Sequence, residues 1–226
     1  MKNIGIIGNG FVGKILKQYY LKAAISDKDS NEETINEVLS KDIIFIAINF
    51  QDNCLSETSK KELQRYFDKI GDATIIIKST LVPGTTDYFQ NLYPNLRFIY
   101  NPEFLTEATA WEDFIKPQFQ ILGMTNQSLW LMDDIFKILP DAPVKRVISP
   151  IDAEILKHSL NSYSATKVIF FNQLFDACIQ LGADYETIRE IMVQNPWIGD
   201  SHSHIFHKGY RGFGGKCLPK DISALS

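Results

Sequence analysis

Cys217 stands in the segment Gly209–Asp221, GYRGFGGKCLPKD, behind four glycines and ahead of Lys220 and Asp221. A thiolate is a strong nucleophile, and cations beside it, here Lys216 and Lys220, favour its formation. The glycines let backbone and substrate approach where a Cβ would block them. Type and spacing point to an enzyme that forms a covalent intermediate on sulfur. The competing reading is a flexible glycine-rich tail. Three polar pairs share i,i+4 spacing: Glu103/Glu107, Lys157/Asn161 and Cys217/Asp221. Wherever the backbone is helical, that spacing puts both members on one face. Taken alone, Lys157/Asn161 fits a solvated helix face equally well. Glu103 follows Asn101-Pro102 directly after an apolar run, and α/β sheets bind ligands outside the carboxyl ends of their strands. Lys78-Ser79-Thr80 ends another apolar run, before Pro83-Gly84. Hydroxyls in such a place contact a cofactor or cap the next helix.

Gly8-Asn9-Gly10-Phe11-Val12-Gly13 follows the strand-like run Ile4–Ile7 and opens a helical segment. Asp27 ends the next strand-like run, roughly 20 residues on, as a dinucleotide fingerprint requires. The glycines allow a tight turn and close approach of a pyrophosphate to the helix N-terminus. The carboxylate takes the ribose hydroxyls, which favours NAD over NADP. A Rossmann unit that has lost its ligand is the alternative, and the short interval between Gly13 and Asp27 predicts a clipped first helix. The histidines of HSHIFH (His202, His204, His207) have only Asp200 nearby as a further ligand. That favours a surface cluster or substrate loop over a metal site.

These residues need elements to hold them. Strands are predicted at 2–7, 22–26, 43–48, 74–77, 96–100 and 119–122, with helices at 14–21, 30–40, 56–70 and 127–139 between them. Ile43–Ile48 is almost wholly apolar, as for a strand buried on both faces of a parallel sheet. The alternation predicts an α/β unit, a Rossmann doubly wound parallel sheet over residues 1–150. After Pro150 the pattern changes. Residues 151–181 hold no glycine or proline and carry apolar side chains at helical spacing, so one long helix runs to Gly182, followed by a second at 184–193. Residues 151–226 are therefore expected to form an all-α central domain.

A net charge of −4 over 226 residues, with no basic run longer than Lys60-Lys61, gives no reason to expect nucleic acid as a partner. No apolar run approaches the roughly 20 residues that span a bilayer. Three cysteines, Cys54, Cys178 and Cys217, are an odd number at unrelated spacings, which argues against a disulfide framework and for a reducing compartment. Met1 leads directly into the first strand without a signal-peptide pattern, so a cytoplasmic protein is expected.

Five segments together resemble the UDP-glucose/GDP-mannose dehydrogenases, the NAD-dependent nucleotide-sugar dehydrogenases. They are GNGFVG at 8–13, KSTLVPGTT at 78–86, NPEFLTEATAWEDF at 101–114, AEILKHSLNSYSATKVIFFNQL at 153–174 and GFGGKCLPKD at 212–221, in the family's order. The resemblance implies a four-electron oxidation of a sugar C6 alcohol, with UDP-glucose the first candidate, through a thiohemiacetal and a thioester on Cys217. It implies that Lys157 and Asn161 stabilise oxyanions on the substrate carbon, that Asp221 transfers a proton or orders water, and that Thr80 and Glu107 hold the hydrolytic water. Glu103, Phe104 and Leu105 would line the sugar site, Gly214 would give the sugar diphosphate room, and Ser79 and Lys220 would help hold the cofactor. It also implies a homodimer through the 151–181 helix, whose apolar residues, Phe170, Phe171, Leu174 and Phe175 among them, exceed one stripe. Two departures stand out. Trp197 lies in a stretch where the family carries an arginine that reaches a partner's sugar site. The family's third, nucleotide-binding domain has no counterpart before Ser226, so either a piece of a longer chain or a reduced enzyme is expected.

Overall fold

The computed structural model describes residues 3–50, 57–207, 209–214 and 218–223. The chain divides into two compact units, Met1–Lys157 and His158–Ser226. Seven strands make the sheet of the first: β1 (Ile4–Ile7), β2 (Ala24–Ser26), β3 (Ile43–Ile46), β4 (Thr74–Ile77), β5 (Arg97–Tyr100), β6 (Phe119–Met124) and β7 (Val144–Ile148). Six helices accompany them: α1 (Phe11–Tyr19), α2 (Glu32–Leu39), α3 (Glu57–Phe67), α4 (Thr85–Leu92), α5 (Ala110–Ile115) and α6 (Met132–Ile138).

The strand order is β2-β1-β3-β4-β5-β6-β7. It reverses between β1 and β3, the switch point at which doubly wound sheets open a ligand crevice. Every residue of β3 and β4 is buried. Their period-2 alternation divides the core: Ile44, Ile46, Ile75, Ile77 and Phe98 join one hydrophobic cluster, and Ile43, Phe45, Ile76 and Ile99 join another. The first cluster contains a set of edge-on rings, with Phe67 5.0 Å from Phe89 and 5.1 Å from Phe98. α1 is short, as the Gly13–Asp27 interval requires, and buries Gly13, Ile15 and Leu16.

The expected doubly wound parallel sheet is present, with one exception among its pairs: β6 runs antiparallel to β5, and β7 is again parallel to β6. The connection from β5 to β6 holds only the six-residue α5, and it turns the chain back instead of carrying it across the sheet. The edge strand β7 was not foreseen, nor were α4 and α5.

Helix α7 (Pro150–Leu181, 32 residues) begins in the first unit and continues into the second. Proline in the first turn and Gly182 at φ 69° just past the last residue bound it, both favoured at those positions. The second unit also contains α8 (Tyr185–Met192), the strands β8 (Phe206–His207) and β9 (Tyr210–Arg211), and α9 (Leu218–Ser223). The small antiparallel hairpin β8–β9 corrects the all-α expectation. Phe171, Cys178, Tyr185 and Ile205 form the core of this unit. The Tyr185 hydroxyl donates to the Ser203 carbonyl at 2.6 Å, and the buried Arg189 pairs with Glu186 and Asp200 at 2.7 and 2.6 Å. Among the described residues no helix is long and apolar enough to cross a membrane.

Candidate active site

At the switch point the glycines of the fingerprint divide their work. A Cβ on Gly13 would lie 1.8 Å from the Gly8 carbonyl oxygen, and one on Gly8, whose φ is +103°, would lie 2.5 Å from the Ala47 carbonyl oxygen. These two glycines allow the turn and the close seating of α1 on the sheet. Gly10 differs: nothing lies within 4 Å of the place its Cβ would take. It caps α1, a helix with no side-chain cap and no acidic residue in its first turn. Its free N–H groups and positive dipole end suit a phosphate. Asp27 is half-buried at the end of β2, where its Oδ1 accepts from the Lys28 amide at 2.8 Å. The open cradle at Gly10, the uncapped helix and the adjacent carboxylate fit a dinucleotide. Asn9 and Phe11 are exposed, and Val12 is half-buried.

A second centre forms where α7 meets the loop after β5. Lys157 is 5% exposed, which excludes the solvated-face reading for it. Its ammonium donates to the Glu103 carbonyl at 2.6 Å and to the Glu103 carboxylate at 3.0 Å, and lies 5.4 Å from the centre of the Phe104 ring. The other carboxylate oxygen of Glu103 accepts from the Leu105 amide at 2.8 Å. Burial alone would push the Glu103 carboxyl up, but the Lys157 charge, the Leu105 amide and the charge of Lys78 together hold it below the usual carboxylate value. Asn161 follows one turn along α7 and is half-buried.

Glu103 and Glu107 do not share a helix face. The backbone at 101–106 is irregular, and α5 begins only at Ala110. Glu103 is half-buried and Glu107 exposed. Thr80 is half-buried in the loop after β4. The Ser79 hydroxyl donates to the Ile48 carbonyl at 2.8 Å, so its proton serves the join between β4 and β3. Gly214 is exposed, with open space where a Cβ would stand. Cys217 lies outside the described residues, and for Lys220 and Asp221 only the helical backbone of α9 is described. No group of three or more histidine, cysteine or acidic residues able to hold a metal occurs among the described residues.

Two family models match this chain: the NAD binding domain of the UDP-glucose/GDP-mannose dehydrogenase family over residues 14–139, and the central domain of the same family over residues 151–226. The chain belongs to the UDP-glucose/GDP-mannose dehydrogenase family. Its NAD-binding domain contains the switch-point crevice, and NAD is the cofactor that the crevice fits. A UDP-glucose 6-dehydrogenase of Rickettsia typhi is 32% identical over 220 residues, covering 92% of this chain and 50% of that protein. The chain spans about half the length of the curated relatives it matches. A UDP-glucose dehydrogenase structure from Pyrobaculum islandicum covers the whole chain at 25% identity, with a TM-score of 0.78 over 63% of that chain. A Mycobacterium tuberculosis 3-hydroxyisobutyrate dehydrogenase shares the fold alone, at 13% identity and a TM-score of 0.75.

One residue that the sequence reading left without a role belongs to this family member's second centre. Lys78, the residue after β4, is 4% exposed. Burial pushes its ammonium down to about 8, which Glu103 opposes and Lys157 reinforces. The signal for it was a lysine directly after the run TIII at the carboxyl edge of the sheet, where an unneeded charge would be costly.

Proposed function

We propose that this protein is an NAD-dependent nucleotide-sugar 6-dehydrogenase, with UDP-glucose as the first candidate substrate and UDP-glucuronate as product, working in the cytoplasm. The observation that carries the reading is the buried Lys157 ammonium, held at the end of the sheet by both the carbonyl and the carboxylate of Glu103. A fixed cation in a dry site stabilises an oxyanion far better than one in water. Lys157, with Asn161 one turn away, would stabilise the oxygen on the sugar C6 as it gains negative charge. The Cys217 thiol would add to the C6 aldehyde to give a thiohemiacetal, which is oxidised to a thioester. Water held by Thr80, Glu107 and Asp221 would then release the carboxylate and restore the thiol. When bound, NAD supplies the hydride acceptor, and two equivalents account for the four electrons. Glu103, Phe104, Leu105 and Gly214 would line the sugar, and Ser79 and Lys220 would support the cofactor. A homodimer through α7 belongs to the same reading: Tyr163, Ile169 and Phe170 on that helix are 62%, 45% and 50% exposed. Sedimentation should show a dimer at micromolar concentration.

A second reading, an NAD-binding module without turnover, is favoured by Trp197, 89% exposed in the stretch where the family carries arginine. NADH absorbance with UDP-glucose, UDP-N-acetyl sugars and GDP-mannose separates the two. Turnover on any one supports the dehydrogenase; bound NAD with no turnover on all of them supports the module. Cys217→Ala adds a second arm: loss of acid product is expected, whereas a one-step hydroxyacid dehydrogenase would keep its activity.

A further inference from the structure

Glu154 has no part in the chemistry described above. It is 0% exposed, on the second turn of α7 and three residues before Lys157. One of its carboxylate oxygens accepts from the Gly84 amide at 2.5 Å. The other accepts from the Thr86 amide at 2.9 Å and from the Thr86 hydroxyl at 2.6 Å. α4 has no side-chain cap of its own, and its N-cap Gly84 sits at φ 91°, so a carboxylate carried on α7 does the capping. Burial pushes that carboxyl up from its ordinary value, against the pull of its three donors. A helix cap alone asks for less: a hydroxyl on the N-cap residue serves without burying a charge.

The bonds to Glu154 lie at one end of the segment from Thr80 to Pro83. The other end is tied to the sheet. The amides of Lys78 and Ser79 donate to the Ile46 carbonyl at 2.9 and 3.1 Å, and the Ser79 hydroxyl donates to the Ile48 carbonyl at 2.8 Å. Leu81 is buried between the two ends. Thr80 thus stands in a short span with one anchor on β3 and one on α7. Lys157, three residues after Glu154, is held separately by the carbonyl and carboxylate of Glu103. Glu154 is therefore the bond between the Thr80 span and the turn of α7 that carries Lys157, and all of these residues belong to the first unit.

We propose that Glu154 is a positioning residue for the hydrolytic half of the reaction: it fixes the Thr80 span to α7 and so sets where the hydrolytic water is held. The proposal rests on the dehydrogenase reading. In that step water adds to the thioester carbon and the carbon–sulfur bond breaks; one proton restores the thiol and the other is released with the carboxylate. Glu154 acts through Thr80, since its own oxygens already serve three donors.

The test is stopped-flow NADH formation by the full chain with UDP-glucose, or with whichever of the nucleotide sugars named above the wild type turns over. The early phase reports the oxidations and the steady phase the hydrolysis. Glu154→Gln keeps the shape but sets an NH2 against the Gly84 amide in one orientation and against the Thr86 amide in the other. Because Glu103 still holds Lys157, the steady rate should fall at least tenfold and the early phase less than threefold. Intact mass should show the sugar acyl group accumulating on the protein, and NAD affinity should change less than twofold. Where Glu154→Gln does not fold, the Thr86 pair decides. Thr86→Val removes one donor and should slow the steady rate at least twofold, while Thr86→Ser, which keeps the hydroxyl, restores it. An equal fall of both phases, as a merely structural role predicts, overturns the proposal. So does an unchanged steady rate in Glu154→Gln or Thr86→Val, or a Thr86→Ser as slow as Thr86→Val. A wild type without turnover on any of the nucleotide sugars removes the dehydrogenase reading and this proposal with it; the other failures remove this proposal alone.

Discussion

Replacing Glu103 by glutamine tests the charge arrangement at the second centre without changing its shape. At pH 7 the substitution removes the carboxylate that holds Lys157 at 3.0 Å and lowers the cost of burying Lys78. Breaking a buried pair by removing one partner costs about 3–5 kcal/mol. Two features reduce that here. The Glu103 side chain keeps 16% exposure, and the 2.6 Å bond from Lys157 to the Glu103 carbonyl survives because it uses backbone. The expected loss is therefore about 2–3 kcal/mol, read by urea unfolding followed by circular dichroism. The pH dependence discriminates further. In the fold the Glu103 carboxyl lies below its ordinary value of 4.5, so on acidification the unfolded chain takes up this proton first. The stability it contributes is complete above about pH 4.5 and is lost as pH falls through the folded value. The gap between wild type and Glu103→Gln should therefore be full at pH 6–7 and narrow below 4.5. A gap under about 0.5 kcal/mol at pH 7, the size of an ordinary surface change, or one that widens on acidification, refutes the reasoning.

Gly13→Ala and Gly10→Ala should separate packing from cofactor recognition. The first sets a Cβ 1.8 Å from the Gly8 carbonyl and should cost about 2–3 kcal/mol together with NAD affinity; the second meets nothing within 4 Å and should weaken NAD at least tenfold while the unfolding midpoint holds, both read by NADH fluorescence and urea unfolding. Lys78→Met should stabilise the unligated chain by about 2 kcal/mol at pH 7, because the wild-type ammonium is buried with a value of about 8 against 10.5 unfolded. The wild type then gains stability between pH 8 and 10.5, so the advantage of the variant should fade over that range. Glu154→Leu should cost about 3 kcal/mol or more in urea unfolding, since the Gly84 amide and the Thr86 amide and hydroxyl all donate to this buried carboxylate.

What could be read from the sequence was what is encoded locally. The glycine fingerprint and Asp27 are a matter of spacing, and the runs IIFI and TIII announce strands buried on both faces. Features set by distant residues were not legible. α4 begins with two β-branched threonines and has a weak helical signature; its first turn is organised by Glu154, on a different helix 68 residues from Thr86. β7, VKRVI, has exposed residues through its first half, as an edge strand can, so it lacks the apolar run that marks its neighbours. The direction of β6 depends on the path of its connection, which side-chain pattern does not record. At the site, Lys157 and Glu103 were singled out by type and position, but the inferred Glu103/Glu107 face assumed a helix that the chain does not form there. Lys78 escaped because a lysine is ordinarily exposed, and only the packed sheet shows that this one is not.

The reversed strand β6 has a consequence for how this sheet tolerates change. In a sheet of one direction, the edge that meets ligands is built from chain leaving its strands. Here β6 enters at that edge, and the segment leading into it, from Lys116 to Gln120, supplies one wall of a cavity of about 300 Å³ that Lys78 and Glu103 also line. The dinucleotide crevice is built from a different part of the sheet, at β1 and β3. The two recesses draw on separate stretches of chain, but they share a wall: Phe114 of α5 packs edge-on against Tyr19 of α1 at 5.4 Å, and Ile115 joins the same hydrophobic cluster as Ile15 and Leu16. A change in the segment after α5 therefore reaches the dinucleotide crevice through α1, unless it is confined to the exposed positions Lys116 and Gln118.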